Sequence, residues 1–456
     1  MKKIVFFIAV LAIISCKEEP KVDYAILSGK IVNPNAKELS VSSSGSLLKT
    51  IKVANDGTFI DTLTVATGYY SLSDGKNNTL IYLDKSNTVN INFDANDFEN
   101  TLEFSGAGSE ISNYLFIKNK KSKEMAGEGT DIYLLEEAAY KSKINEIKTA
   151  SEELLDATGG ISDDFKSKEK RNIYYSYLGF VDKYQLYHSH YAKKEDFKVS
   201  DDFLKELETI EYNSEEDFLF SSNYENLVNT HYQKEARKLA EQDSIQNDIA
   251  FLKIAAGITN ETIKNKLVYL NSKYNITYTD QLEDFYSLFM AASTNEEHKK
   301  EITESYNKLK SVSKGQPSPK FENYENFNGG TTSLDDLKGK FVYVDVWATW
   351  CGPCKAEIPS LKEVEAKYHN KNIEFVSISV DVEKDYEKWK TMVKEEDLKG
   401  IQLFSDKNWK SDFVTGYLIK GIPRFILIDP NGNIVNSNAP RPSSEKLIEL
   451  FNENNI

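Results

Sequence analysis

The sequence contains few of the residues that bind metal ions or form structural disulfides. Its 456 residues include three cysteines, at positions 16, 351 and 354, and five histidines. A closed zinc site needs two Cys or His ligands beyond a single Cys-x-x-Cys pair, and the remaining candidates are scattered. His188 and His190 are two residues apart, so on a helix their rings would point about 200° apart and could not share one ion. We expect no metal site.

Long apolar stretches are also scarce. The main one, residues 4–14, holds eleven apolar residues and follows Lys2 and Lys3. A helix that crosses a bilayer needs about 20 such residues, so this run is too short to be a membrane span. A short apolar run behind two lysines is typical of a secretion signal, and we predict that residues 1–16 are one.

Positive charge is outnumbered by negative charge. The chain has 56 Lys and Arg residues against 71 Asp and Glu residues, which gives a formal net charge of −15. Loss of Lys2 and Lys3 with the signal would change this to about −17. Such a charge argues against nucleic acid as a partner and against direct binding to an anionic membrane surface.

The main chemical feature is the stretch Trp350-Cys351-Gly352-Pro353-Cys354, between a predicted strand, residues 341–347, and a predicted helix. A helix that begins at Cys351 places its sulfur beside unpaired backbone N–H groups and the positive end of the helix dipole, which favours the thiolate. Cys354 lies one turn further along the same face, within reach of a disulfide bond. We therefore predict that Cys351 is the nucleophile and Cys354 the resolving thiol of a redox pair.

Three other uses of this cysteine pair fit the sequence less well. A zinc knuckle lacks ligands, as described above. A structural disulfide across so short a loop would constrain little of the unfolded chain. A peroxidatic cysteine, in the peroxiredoxin family, follows a Thr or Ser by three residues and a Pro by seven, whereas Ala348 and Val344 stand there.

The residues around the dithiol resemble those of a known family. Residues 342–359 read VYVDVWATWCGPCKAEIP, which is similar to thioredoxin-fold proteins, and Glu357-Ile358-Pro359 resembles the ResA/TlpA branch of thiol-disulfide oxidoreductases outside the cytoplasm. Gly421-Ile422-Pro423 resembles the cis-proline loop of that fold. The resemblance implies a thioredoxin-like α/β domain that exchanges disulfides with other proteins.

The resemblance also implies roles for single residues. Asp345 interrupts an otherwise apolar strand, and the matching acid in thioredoxins lies beneath the dithiol and helps to deprotonate the resolving thiol. Glu357 matches an acid that handles protons in ResA-like proteins; the alternative is an ordinary Glu near a helix N-terminus. Many thioredoxins carry a lysine in the next strand, whereas residues 373–380 contain none. Any coupling between an acid and a lysine is therefore absent or replaced.

Three residues are expected to contact the substrate. The resemblance implies that Pro423 follows a cis peptide bond and presents the backbone of Ile422 to a substrate peptide, which could pair with it as a short strand. Trp350 is expected to be a surface aromatic that shapes this binding platform rather than a catalytic group.

Cys16 directly follows the apolar run and Ser15, which resembles a bacterial lipoprotein signal of the looser kind found in Bacteroidetes. The resemblance implies that Cys16 is lipidated and begins the mature protein; a plain secreted protein with an incidental cysteine is the alternative. Lys17 stands where some lipoproteins carry the Asp that retains them at the inner membrane, so we expect an outer-membrane anchor.

Changes in sequence periodicity divide the rest of the chain. Residues 24–106 alternate with period two between turn signals, which predicts a small antiparallel sandwich or barrel used for docking or spacing. Residues 109–312 have helical periodicity and many tyrosines, interpreted as core rings with their hydroxyls at the surface or, alternatively, as an aromatic ligand groove. A Gly- and Pro-containing linker at 313–319 precedes the redox domain, 320–456. The fold class is thus multidomain: all-β, then all-α, then α/β.

These observations predict a lipid-anchored thiol-disulfide oxidoreductase of the cell envelope or periplasm. Its redox group would be the Cys351–Cys354 disulfide, without another cofactor. Its partners would be protein disulfides and, for a reductase, a membrane electron donor. The Cys-Gly-Pro-Cys sequence resembles that of reducing thioredoxins, which favours reduction, and the resemblance to the ResA-like family also implies a role in cytochrome c maturation as a further possibility. The alternative is a scaffolding lipoprotein in which the redox domain is accessory.

Overall fold

The computed structural model describes residues 23–43 and 45–456. The chain forms two compact units that divide between Leu227 and Val228. The predicted signal, residues 1–16, and the predicted lipidation site, Cys16, lie outside the described residues. Within the described ranges, no helix is both long enough and apolar enough to cross a membrane.

The first unit begins with a β-sandwich of two four-stranded sheets. The sheets have the strand orders β4-β1-β7-β8 and β3-β2-β5-β6. Alternate residues of the strands, such as Leu27, Val89 and Ile91, are buried between them. The strands are β1 (Tyr24–Val32), β2 (Glu38–Ser43), β3 (Ser46–Lys52), β4 (Thr58–Thr64), β5 (Gly68–Ser73), β6 (Asn78–Leu83), β7 (Thr88–Asp94) and β8 (Glu103–Ser105).

One strand pair differs from the predicted antiparallel arrangement. β1 pairs with β4 in antiparallel fashion but with β7 in parallel fashion, in a register that joins Leu27 to Val89. Period-two alternation determines which side chains are buried, but it carries no information about the direction of a neighbouring strand. The sandwich itself was predicted correctly.

Helices make up the rest of the first unit. Six residues were expected from their helical spacing to form one stripe, and on the helix Ile173, Tyr177, Val181 and Tyr184 are buried, whereas Phe180 is partly buried and Tyr191 is 38% exposed. Tyr177 and Tyr184 are core residues, but the hydroxyl of Tyr184 donates to the carbonyl of Leu135 instead of reaching the surface. The helices are α1 (Phe98–Thr101), α2 (Glu110–Ala126), α3 (Glu137–Ala157), α4 (Asp163–Tyr191), α5 (Glu215–Phe220) and α6 (Ser222–Asp243), within which the division falls.

The two histidines discussed above lie at the end of α4. His188 is buried, and its Nδ1 is 2.8 Å from the carbonyl oxygen of Tyr133. His190 contacts the ring of Tyr191. The described residues contain no cluster of three or more His, Cys, Asp or Glu side chains that could hold a metal ion.

The second unit combines helices with the redox domain. Its helical part contains four further helices that precede the sheet in the chain. They are α7 (Asn247–Ala256), α8 (Glu261–Asn275), α9 (Leu282–Ala292) and α10 (Glu296–Lys310). The multidomain fold class predicted from the sequence is therefore confirmed, with a helical region between the β-sandwich and the α/β domain.

The α/β domain is built on a seven-stranded sheet with the order β10-β9-β13-β12-β11-β14-β15. β11, which leads to the dithiol, lies between a parallel neighbour, β12, and an antiparallel one, β14. The elements are β9 (Tyr324–Asn326), β10 (Thr331–Thr332), β11 (Phe341–Trp347), α11 (Gly352–Tyr368), β12 (Ile373–Ser379), α12 (Tyr386–Glu395), β13 (Ile401–Phe404), α13 (Asp412–Gly416), β14 (Arg424–Ile428), β15 (Ile434–Asn436) and α14 (Glu445–Glu453).

The segment predicted to be a linker, residues 313–319, is hydrogen-bonded to the redox domain. The N–H of Gly315 donates to the carbonyl of Ile434 at 2.7 Å, and the N–H of Ser318 donates to that of Gly432 at 2.9 Å. The hydroxyl of Ser318 also lies 2.6 Å from that of Tyr417. These bonds attach the segment to the edge of the sheet beside β15.

Candidate redox site

The dithiol lies where β11 turns into α11. Cys351 is the N-cap residue of α11 and forms a disulfide with Cys354. Its Sγ accepts a hydrogen bond from the backbone N–H of Cys354 at 3.1 Å. The free N–H groups of a first helical turn stabilise negative charge, so this position favours a thiolate at Cys351. Both cysteines are only 4% exposed in the disulfide form. The N-cap position, and not solvent exposure, therefore marks Cys351 as the nucleophile.

A buried aspartate that the sequence analysis missed anchors the loop before the dithiol. Asp381 follows β12 and accepts hydrogen bonds from the N–H of Thr349 at 2.9 Å and from its hydroxyl at 2.8 Å. The hydroxyl of Ser379 donates to the same carboxylate at 2.8 Å. The carboxylate therefore links the end of β12 to the loop that carries Trp350 and Cys351. An acid directly after a buried strand was the available signal.

Asp345 occupies the predicted place in β11, on a narrow cleft that Cys354 also lines. The residue keeps a small exposed fraction, but its Oδ1 is buried and has no hydrogen-bond partner among the described residues. Burial, together with the negative charges of Glu365 and Glu357, raises the pKa of Asp345 to about 8. A carboxyl group with this pKa can exchange a proton with a nearby thiol near neutral pH.

Glu365 is a second acid on the same cleft, and the sequence analysis did not identify it. It belongs to α11 and is buried, which raises its pKa to about 7, although the charges of Lys362 and Lys399 partly oppose this rise. Cys354, Leu361 and Glu365 follow one another at spacings of seven and four, the pattern of a buried helix face. A charged residue at a core position was therefore visible in the sequence.

The lysine that many thioredoxins carry in the strand beside the buried acid is absent here. Ser377 of β12 lines the cleft, and it pairs in the sheet with Asp345. The cations on the cleft are Lys362 and Lys399, which come from α11 and from the segment before β13. Asp345 therefore shares its cleft with a second acid, Glu365, and not with a lysine from β12.

Glu357 is buried in α11, but its carboxylate binds a neighbouring loop. Its Oε2 accepts a hydrogen bond from the N–H of Ser443, and its Oε1 accepts one from the hydroxyl of Ser443, both at 3.0 Å. Arg441 adds a weaker ionic contact at 3.8 Å. These bonds give Glu357 a structural task, while its charge still contributes to the raised pKa of Asp345. A proton-handling role for Glu357 stays a prediction.

The predicted substrate-binding residues lie beside the dithiol. The Ile422–Pro423 peptide bond is cis, as the resemblance implied. Arg424 pairs with Val346 across β14 and β11, so the residues before Arg424 lie next to those that lead to Cys351. Trp350 is 58% exposed. The structure therefore brings an exposed aromatic ring, the cis-proline loop and the dithiol to the same end of the sheet.

Comparisons with known proteins agree with this geometry. The Redoxin family matches residues 313–449. The thiol-disulfide oxidoreductase ResA of Bacillus cereus is 32% identical over 133 residues, which cover 29% of this chain and 73% of the relative. The chain belongs to the ResA-like thiol-disulfide oxidoreductases. The recognition made from the dithiol motif and the cis-proline loop is thus confirmed, and the ResA-like domain is a thioredoxin-like enzyme domain.

Other relatives and solved structures also match about a third of the chain. ResA of Bacillus subtilis is 29% identical over 127 residues, which cover 27% of this chain and 66% of the relative. A crystal structure of a putative thiol-disulfide oxidoreductase from Bacteroides vulgatus is 37% identical and covers 31% of this chain and 97% of its own, with a TM-score of 0.29. Because the Redoxin match covers residues 313–449, the recognised similarity lies in the C-terminal α/β domain.

Proposed function

We propose that this protein reduces disulfide bonds in exported proteins outside the cytoplasm. The observation that carries the proposal is the Cys351–Cys354 disulfide at the N-terminus of α11, beside the cis-proline loop, in a ResA-like domain. The disulfide is itself the redox group in this proposal, so the chemistry requires no metal ion or nucleotide.

The reaction begins with the reduced enzyme. The Cys351 thiolate attacks one sulfur of the substrate disulfide, whose S–S bond breaks as a mixed disulfide forms and the other substrate sulfur leaves as a thiolate. Cys354 then loses its proton to Asp345 and attacks the Sγ of Cys351. The Cys351–Cys354 bond forms, the second substrate thiolate leaves, and two electrons have passed to the substrate. A membrane electron donor would reduce the enzyme again.

The direction of electron flow is tested by the reduction potential of the dithiol. We would equilibrate the chain from Lys17 onward with dithiothreitol or glutathione buffers and measure the fraction of oxidised Cys351–Cys354. A potential near that of thioredoxin, about −270 mV, supports a reductase. A potential near about −120 mV, typical of strong oxidants, would instead make the protein a disulfide donor.

The cell-envelope location is part of the proposal. It is supported by the apolar run at residues 4–14 and by the position of Cys16 directly behind it. We propose that Cys16 carries the lipid and that the anchor lies in the outer membrane. Metabolic labelling with a fatty acid, followed by membrane fractionation, tests this: the wild type should be labelled and sediment with the outer membrane, whereas Cys16→Ala should be unlabelled.

A scaffolding function is the second candidate, because the Redoxin match begins only at residue 313. In that case the β-sandwich, proposed as a docking or spacing domain, and the helices would hold a partner, and the redox domain would be accessory. A Cys354→Ala variant distinguishes the two functions, since it cannot resolve mixed disulfides. An enzyme should accumulate several disulfide-linked proteins, whereas a scaffold should retain one partner without such bonds. Cytochrome c maturation would appear as an apocytochrome among the trapped proteins.

A further inference from the structure

Arg424, the residue that follows the cis-proline, is bonded to the helical part of the second unit. Arg424 is only 3% exposed, and its Nη2 donates to the hydroxyl of Thr277 at 3.1 Å. Its guanidinium group lies over the ring of Tyr278, 4.2 Å from the ring centroid. Thr277 and Tyr278 belong to residues 276–281, between α8 and α9, which we call the α8–α9 turn. The turn therefore packs directly against the start of β14.

The residues before the cis-proline contact the same helices. The Nζ of Lys420 donates to the carbonyl of Lys273 in α8 at 3.0 Å and to the hydroxyl of Ser305 in α10 at 3.4 Å. Gly421 lies against Tyr278 so closely that a Cβ atom added to it would be 2.5 Å from the Tyr278 hydroxyl. The cis-proline loop is thus held on both sides by helical residues.

This packing buries the positive charge of Arg424, which contacts no acidic side chain within the described part of the chain. Its other hydrogen bonds go to the Oδ1 of Asn438 at 3.1 Å and to the carbonyl of Ser437 at 3.4 Å. A buried guanidinium is costly unless its N–H groups are bonded, and the Nε of Arg424 already has no partner among the described residues, so the bond from Nη2 to Thr277 should stabilise the arrangement. Asn438 adds a bond from its Nδ2 to the carbonyl of Tyr278 at 2.8 Å.

Tyr278 is also available to a substrate. It is 36% exposed, although one side of its ring faces Arg424 and its hydroxyl faces Gly421. A substrate segment that pairs with the backbone of Ile422 would run past Gly421 and would meet this ring. Tyrosine is well suited to such contact, because it offers a large rigid ring and a polar tip.

We propose that Tyr278 is a specificity residue. The α8–α9 turn forms a second wall of the substrate site, and the Tyr278 ring contacts the extended polypeptide segment next to the substrate's disulfide. This inference rests on the proposed reductase function and extends it, because it gives the helical part of the second unit a role in selecting protein substrates over small disulfides. A small disulfide has no such segment and does not reach Tyr278.

The test compares Tyr278→Ala with the wild type in the full chain. Reduction of a protein disulfide, in insulin, and of a small one, 5,5′-dithiobis(2-nitrobenzoate), is followed separately. We expect KM for insulin to rise about tenfold, the effect of losing one good aromatic contact, with kcat unchanged. The rate with the small disulfide should stay within about twofold. Tyr274→Ala is the matched control, since Tyr274 is an exposed tyrosine at the end of α8.

Two outcomes would overturn the inference: an unchanged KM for insulin, or an equal loss with both substrates, which would indicate a role in folding alone. If Tyr278→Ala does not fold, a photoreactive phenylalanine analogue at position 278 in a Cys354→Ala background replaces it. After a mixed disulfide with the substrate has formed, cross-links should come from position 278 and not from position 274; equal cross-linking, or none, contradicts the proposal. A wild type that reduces no protein disulfide would refute the proposed function itself.

Discussion

The resolving step depends on where the proton of Cys354 goes, and Asp345, which lines the same cleft, is the proposed acceptor. Asp345 can accept a proton only in its ionised form, and its pKa is raised to about 8. We therefore expect the rate of mixed-disulfide resolution to rise with pH up to about 8. In Asp345→Asn the rise set by Asp345 should be replaced by one set by ionisation of Cys354 alone, and the rate at neutral pH should fall about 100-fold, the usual scale of general base catalysis. The decay of a mixed disulfide, followed by stopped flow, measures the rate of resolution. A pH profile that is the same in Asp345→Asn and in the wild type would exclude Asp345 as the base.

The same pKa makes a prediction about stability. Asp345 has a folded pKa of about 8, above its unfolded value of about 3.9. The wild type should therefore lose stability as the pH rises between these values, whereas Asp345→Asn, which keeps only the raised pKa of Glu365, should lose less. Between pH 5 and pH 8 the variant should gain about 3 to 4 kcal/mol relative to the wild type. Urea unfolding of the oxidised proteins at the two pH values tests this, and parallel stability curves would contradict it.

Glu365 should control the pKa of Asp345. Its negative charge is one cause of the raised value, so Glu365→Gln should lower the pKa of Asp345. The pH-dependent rise of the resolving step should then occur at lower pH than in the wild type. Glu363→Gln is the matched control, because it removes the same charge from an exposed position of the same helix. Equal shifts in the two variants would show that only net charge matters.

At the scale of elements, the loop between β11 and α11 is held by β12. Asp381, at the end of β12, accepts two hydrogen bonds from Thr349, one of them from the backbone. In Asp381→Asn an NH₂ group replaces one of the two oxygens that accept from Thr349, so one buried donor of Thr349 loses its acceptor. We expect the free energy of unfolding to fall by about 1 to 3 kcal/mol. The loosened loop should also expose Cys351, so alkylation of the reduced enzyme should be faster. The exposed acid Glu383 supplies the control variant, Glu383→Gln, for which neither quantity should change.

Local sequence pattern was sufficient for the elements and for the dithiol, because both depend on residues close together in the chain. Strand β11 and the turn at Cys351 follow from such short stretches, whereas the cis-proline loop was implied by the resemblance of Gly421-Ile422-Pro423 to the family. The parallel pairing of β1 with β7 was not predictable, since side-chain alternation is the same in either direction. Asp381 and the contacts of Arg424 were missed for a related reason: their partners, Thr349 and Thr277, are distant in sequence.

At the scale of the whole molecule, the second unit contains both the redox domain and the helices that contact its cis-proline loop. The sequence placed a linker at 313–319 between these parts. The segment itself is bonded to the redox domain, because Gly315 and Ser318 donate hydrogen bonds at the β15 edge. The redox domain is also bonded to the helices, through Arg424 and Lys420. Helices α8 to α10 and β14 should therefore open to solvent as one cooperative group.

Hydrogen exchange of Arg424→Ala tests this cooperativity. The substitution removes the bond to Thr277 and the packing over Tyr278, and it leaves the Oδ1 of Asn438 without this donor. Because both segments lose contacts at once, peptides covering 270–282 and 416–428 should exchange about tenfold faster, and by the same factor. Lys446→Ala, which removes an exposed charge from α14, should change neither peptide. Faster exchange in 416–428 alone would mean that β14 opens without the helices, and then the α8–α9 turn could not act as a fixed wall of the substrate site.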